Sequence, residues 1–202
     1  LVGRDDSIRG YYHGQRAALH EVLSAVGKYA PVENPLQLQE TNEEVLIAAV
    51  AVRNYITAAR QAYATAAFAD YTTSVVQKYA TRSSDMLDTP LSLTLSWSGV
   101  PSEYTVSLFL SRDADFSEEN TTVYRDVLNN RQKITNLYAD TTYYWMIEVE
   151  NDEISLRSDV SCFTTEDTVR WISVDGVRNV RDVGGWNGLN QGMLYRGSEM
   201  NL

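Results

Sequence analysis

A chain of 202 residues with 44% hydrophobic and 22% charged residues carries enough apolar material for a folded core, which argues against disorder over most of its length. Its net charge of −10 sits mainly in 89–166, where five basic residues face thirteen acidic ones; such a field disfavours nucleic acid as a partner and reads first as a solvated acidic surface. No apolar run reaches the roughly 18 residues of a membrane helix, since the longest candidate, Val45 to Ala69, is interrupted by Arg53, Asn54, Arg60 and Gln61.

The N-terminal segment, 1–82, reads as helical. Ile8, Tyr12, Leu19, Val22, Leu23, Val26 and Tyr29 share one face at 3.6-residue spacing, and Pro31 and Pro35 end that stretch. Thr41-Asn42-Glu43-Glu44 has the form of a capping box, and Val45, Ala49, Val52, Ile56, Ala59 and Tyr63 make a second stripe behind it. Two such stripes are expected to bury each other in a helical hairpin or small bundle. The tyrosines of this segment, Tyr11, Tyr12, Tyr55, Tyr63, Tyr71 and Tyr79, read as half-buried core before they read as a binding surface. Residues 83–90 are polar, end in Pro90 and read as a linker.

From Leu91 the hydrophobic period changes from 3.6 to 2. Leu91, Leu93, Leu95 and Trp97 alternate with polar residues, Gly99 and Pro101 break the run, and Tyr104, Val106, Leu108 and Leu110 alternate again. Further β-rich stretches begin at Ile134, run from Tyr143 to Val149, and close from Ile154 to Phe163. This pattern predicts an antiparallel β-sandwich over 91–166. Within it, Trp97, the run Leu137-Tyr138-Ala139-Asp140-Thr141-Thr142-Tyr143-Tyr144-Trp145 and the ending Cys162-Phe163-Thr164-Thr165 resemble a fibronectin type III module. The resemblance implies a core tryptophan on the second strand and a tyrosine corner before the penultimate one. A protein or a surface is the partner such a module suggests. Asn120-Thr121-Thr122 is a glycosylation sequon, a pattern that also arises by chance.

Cys162 is the single cysteine, so no disulfide framework or cysteine-based metal site is expected, and it reads as a structural thiol. His13 and His20 lie seven apart, too far for an i, i+4 ligand pair; neither a metal nor a cofactor is expected. The chain begins at Leu1 with no charged leader or apolar signal core, and reads as a fragment.

The stretch 167–202 reads as two short strands joined by a loop rich in glycine and asparagine. Gly184, Gly185, Gly188 and Gly192 permit positive φ there, and the pair after Asp182 could admit an anion, although a plain β-turn is the simpler reading. Asn179-Val180-Arg181-Asp182-Val183-Gly184-Gly185 followed by Tyr195-Arg196-Gly197-Ser198 resembles the opening of a bacterial tyrosine-phosphatase family, whose catalytic domain begins Asn-Phe-Arg-Asp-Leu-Gly-Gly and continues with Tyr-Arg-Ser. Val180 stands for the aromatic, Val183 for the leucine, and Gly197 departs from the serine.

The resemblance implies hydrolysis of a phosphoester by a cysteine thiolate, an arginine and a general acid. The family's His-Cys-x5-Arg loop is absent from this sequence, so no catalytic residue is assigned. The motif positions are Asn179, Arg181, Asp182, Gly184, Gly185, Tyr195 and Arg196; for the charged ones, an ion-pair network and a direct phosphate contact both stay open.

The expected fold class is therefore multidomain α+β: an N-terminal helical bundle, a central sandwich and the start of an α/β phosphatase domain. The expected function is the inactive front portion of a phosphatase acting on a phosphorylated protein or other phosphoester, in the cell envelope or outside a bacterium. An adhesion or scaffold protein and an inactive pseudophosphatase are the alternatives. The strands of 167–202 are expected to be loosely docked, for want of a larger sheet to bury them.

Overall fold

The computed structural model describes residues 35–64, 90–152, 154–185 and 188–198. In chain order its elements are β1 (Gln37–Leu38), β2 (Glu44–Val45), helix α1 (Val50–Ala64), β3 (Leu93–Ser98), β4 (Thr105–Ser111), β5 (Thr121–Tyr124), β6 (Arg131–Ile134), β7 (Thr142–Glu150), β8 (Ser155–Arg157), β9 (Ser161–Thr165), β10 (Trp171–Val174), β11 (Val177–Asp182) and β12 (Tyr195–Arg196).

The period-2 pattern becomes strand where it is strongest. On β3 it turns Leu95 and Trp97 inward; on β4 it turns Val106, Leu108 and Leu110 inward. β7 is buried along most of its length because it lies between β9 and β4 in the larger sheet. That sheet has the order β2-β9-β7-β4-β5, with β8 also on β7; the smaller has the order β1-β3-β6. One core joins their inner faces, centred on Leu95, Trp97, Leu108, Ile134, Trp145, Ile147, Val149 and Phe163. Each such side chain contributes about 1.5–3 kcal/mol on burial, so this face-to-face packing is the main source of stability and makes a β-sandwich.

The tyrosine corner forms as the residues suggest. The Tyr143 hydroxyl accepts the Tyr138 amide at 2.9 Å, and Asp140 turns the chain between them at φ 45°. The Tyr143 ring then stacks on Phe163 with centroids 5.5 Å apart.

The expected α+β division is not what forms. Among the described residues there is one helix, and the segment before it is part of the sandwich. β1 pairs antiparallel with β3 and β2 pairs parallel with β9, so one short stretch lends a strand to each sheet. Leu36, Val45 and Ile47 enter the shared core. The capping box expected at Thr41 to Glu44 therefore caps nothing. The carbonyls of Glu43 and Val45 accept the amides of Thr164 and Glu166, each at 3.0 Å, and that edge pairing competes successfully with a helical turn.

Helix α1 starts later, and among the described residues its buried face meets a strand residue. Ala48 and Val52, with Ala49 and Ile56 beside them, pack against Trp171. The helical reading of 1–34 and 65–82 lies outside the described residues, as does the linker apart from Pro90. The C-terminal stretch is likewise no α/β layer among the described residues: β10, β11 and β12 form a small antiparallel sheet. The described part is mainly β, a sandwich with one helix and an appended three-stranded sheet.

Candidate functional site

The end of β9 is where sandwich, helix and appended sheet meet. Glu166 is buried, and its Oε1 accepts the amides of Ile47 and Ala48 at 2.7 and 2.9 Å, just ahead of α1. The first turn of α1 has no acidic residue of its own, so this carboxylate, 119 positions away from Ile47, satisfies the amides and the positive end of the helix dipole. Its Oε2 takes Arg53, and the next residue, Asp167, holds Arg60 through both guanidinium nitrogens at 3.0 and 2.9 Å.

Arg170 turns the other way. Its Nε and Nη2 donate to the carbonyls of Leu137 and Asn136, its Cζ stands 3.5 Å from the centroid of the Tyr138 ring, and Nη1 donates to Asp182 at 3.1 Å. The Asp182 side chain is 0% exposed. Its Oδ1 accepts the Gly184 amide at 2.8 Å, while Oδ2 accepts the Gly192 amide at 2.6 Å beside Arg170. A buried carboxylate with one cation and two amides is fully compensated, which makes Asp182 the clasp of the 184–192 loop.

The glycines are explained by that clasp. A Cβ on Gly184 would lie 2.2 Å from the carbonyl oxygen of Asn190, so no side chain fits. Gly185 sits at φ 88° and donates to Leu189 at 2.7 Å. Gln191 then fixes the loop to the sandwich: its amide oxygen accepts the Ala139 amide at 2.9 Å and its nitrogen donates to the Ala139 carbonyl at 2.8 Å. Asn136 makes a similar two-way pair with the backbone of Ser173. The stretch expected to be loosely docked is thus held by Arg170, Gln191 and Asn136.

The motif positions fall into three places. Asp182, Gly184 and Gly185 form the clasp. Arg181 and Arg196 are direct partners across β11 and β12, and Tyr195 is opposite Asp182. Arg181 lies 5.6 Å from the Trp171 ring centroid, while Arg196 and Tyr195 are exposed. Asn179 stands apart, exposed at φ 56° beside the irregularity in the β10–β11 pairing. Of the two readings for the charged positions, the ion-pair network exists for Asp182, with Arg170 as the partner rather than Arg181. Arg170, Gln191 and Glu166 carry no signal in the sequence, because each acts on residues 12 to 119 positions away.

Cys162 lies exposed on β9, opposite Tyr144. His13 and His20 lie outside the described residues, and among the described ones no three His, Cys, Asp or Glu side chains converge on a metal position. The sequon amide is engaged: Asn120 Nδ2 donates to Asp113 at 2.8 Å and to Ser117 at 3.1 Å, and Oδ1 accepts from Arg112. Ser117, through its hydroxyl and then its amide, holds the Asp113 carboxyl down to about 2. A cavity of about 270 Å³ opens beside this loop, lined by Arg112, Thr122, Tyr124, Asn136 and Tyr138. Burial pushes the Tyr124 phenol up.

No family model matches the chain, and no curated protein matches it. Among solved structures it is similar to a computationally redesigned β-sandwich protein at 18% identity, covering 38% of this chain and 81% of that one, with a TM-score of 0.33. So low a score carries no argument. The class of protein is set by the strands themselves, a β-sandwich with an appended sheet, in which no helix among the described residues is long and apolar enough to cross a membrane.

Proposed function

We propose that this chain is the non-catalytic front portion of a cysteine-dependent phosphatase, with the sandwich serving as a brace for the segment that carries the family's opening motifs. The observation that supports the reading is the interlock between those motifs. Arg181 and Asp182 of the first run pair directly with Arg196 and Tyr195 of the second, matched separately in sequence, and Asp182 closes the loop between them through two glycine amides. A surface hairpin has no need of a buried aspartate or of a glycine whose Cβ would strike a carbonyl. The sandwich is read as fibronectin type III-like, on the β1-β3-β6 sheet, the β9-β7-β4 order opposite it and the tyrosine corner at Tyr143.

On this reading the thiolate, the phosphate-holding arginine and the acid come from chain beyond Leu202, and the substrate is a phosphorylated protein or another phosphoester. The test is to read the coding sequence beyond Leu202, express the longer product and assay hydrolysis of an aryl phosphate. A His-Cys-x5-Arg loop whose Cys→Ser variant abolishes turnover is the expected result. A stop codon, or a long frame without such a loop, would overturn the reading and leave a scaffold using its sandwich as a binding module.

A further inference from the structure

The cavity of about 270 Å³ beside the sequon loop draws its wall from the edge strands of both sheets, β5 and β6, and from the tyrosine corner. Its apolar lining, Leu110, Ile134 and Leu137, belongs to the sandwich core. Its polar lining holds two opposite charges that do not pair. Arg112 and Glu119 both line it, and both are exposed. They share one rim because the Arg112 amide donates to the carbonyl of Asn120, the residue after Glu119, at 3.2 Å, and Nη2 donates to Asn120 Oδ1 at 2.8 Å. Beyond that neutral partner the Arg112 guanidinium has only the Tyr138 ring, whose centroid lies 4.6 Å from Cζ. The Glu119 carboxylate has no ion-pair or hydrogen-bond partner among the described residues. Arg170 is the second guanidinium on the Tyr138 ring, 3.5 Å from its centroid, and it lines the same cavity. Asp182 balances its charge, and Leu137, Asn136 and Asp182 use three of its five N–H groups. The remaining two have no acceptor among the described residues.

We propose that this cavity binds a free α-amino acid with an apolar side chain. The carboxylate goes to Arg112 with Arg170 beside it, the ammonium to Glu119, and the side chain against Leu110, Ile134 and Leu137. With Arg170 matched by Asp182, the wall offers one positive and one negative charge, and a zwitterion satisfies both at once. A dianion would meet Glu119 at the rim and a chain of net charge −10; a net-neutral ligand is repelled by neither. Size agrees. Pockets for drug-sized ligands run to about 300–1,000 Å³, so 270 Å³ suits a smaller molecule. The site lies in the sandwich and stands whether or not the longer product is a phosphatase.

The experiment is a heteronuclear NMR titration of the 202-residue chain at about pH 6.5, where an α-amino group is charged. The probes are L-leucine, N-acetyl-L-leucine, L-leucinamide and D-glucose. Saturable shifts at Leu110, Glu119 and Tyr138 are expected with L-leucine. Each blocked form should bind about tenfold more weakly, having lost one charge-assisted contact. Arg112→Gln should weaken L-leucine about tenfold and leave L-leucinamide unchanged, while Glu119→Gln weakens L-leucine and leaves N-acetyl-L-leucine unchanged. Both side chains are exposed, so neither variant threatens the fold, and Arg131→Gln, on β6 outside the lining, should bind like the parent. Lack of saturation by L-leucine up to about 10 mM, or blocked forms that bind as well as L-leucine, would overturn the site. Saturation by D-glucose and not by L-leucine would also overturn it, and would assign the cavity to a polyol.

Discussion

Replacing Asp182 by asparagine removes one negative charge and almost no volume, so its effect isolates the electrostatic clasp. The carboxylate accepts Arg170 and the amides of Gly184 and Gly192 within one buried position. An asparagine has one acceptor oxygen; whichever way it turns, its NH2 group faces a donor and Arg170 is left a buried cation without its counter-charge. Breaking a buried pair from one side costs about 3–5 kcal/mol. That cost falls on the 184–192 loop and the β11–β12 pairing, because the sandwich core is assembled from other residues. Converted at about 1.4 kcal/mol per factor of ten, it raises local opening roughly 10²- to 10³-fold. Amide hydrogen exchange is the assay: Gly184, Gly192 and Val183 should lose protection by that factor while Leu108, Trp145 and Val149 keep theirs. Unchanged protection in Asp182→Asn would refute the clasp, and loss spread equally over the sandwich would refute its local character.

Four further outcomes are expected. Gly184→Ala puts a methyl against the Asn190 carbonyl and should cost about 1–3 kcal/mol in the same loop, read by the same exchange experiment. Glu166→Ala removes the acceptor at the start of α1 and the partner of Arg53, so the helix should lose about 1–2 kcal/mol of local stability; α1 amides as protected as in the parent chain would contradict this. Asp113 has its folded pKa lowered from 3.8 to about 2, so the stability it contributes is fully present above about pH 4 and is lost as pH falls through 2; a carboxyl carbon titration with its midpoint near 4 would show that the Ser117 contacts are not made. Tyr143→Phe removes the hydroxyl that accepts the Tyr138 amide and should lower global stability by about 0.5–1.5 kcal/mol in urea unfolding.

Much of the sandwich is legible in the order of residues alone. Strands that bury one face must alternate, and the residues from Leu93 to Trp97 and from Val106 to Leu110 do so. The corner at Tyr143 is legible because it is made by residues five apart. The glycines at 184 and 185 announce a special backbone, and one is crowded by a carbonyl while the other has positive φ. The stretch from Leu36 to Ile47 is different: its pattern suggests the approach to a helix, and it forms sheet edges instead. Its two strands are two residues each, too short to show a period, and their hydrogen bonds go to residues far along the chain.

By itself the sequence determined which segments could be half-buried strands, where the backbone had to bend unusually, and that Arg181, Asp182 and Arg196 belonged to one loop-and-strand unit. Tertiary structure decided the partners. It gave Asp182 to Arg170 instead of Arg181, used Glu166 to hold the Ile47 amide ahead of a helix, 119 residues earlier in the chain, and paired Arg181 with Arg196 across two strands. Periodicity reports burial, which each residue expresses in its own neighbourhood. Charge pairing and edge-strand hydrogen bonding depend on which distant segments are brought within a few ångströms, and only folding specifies that.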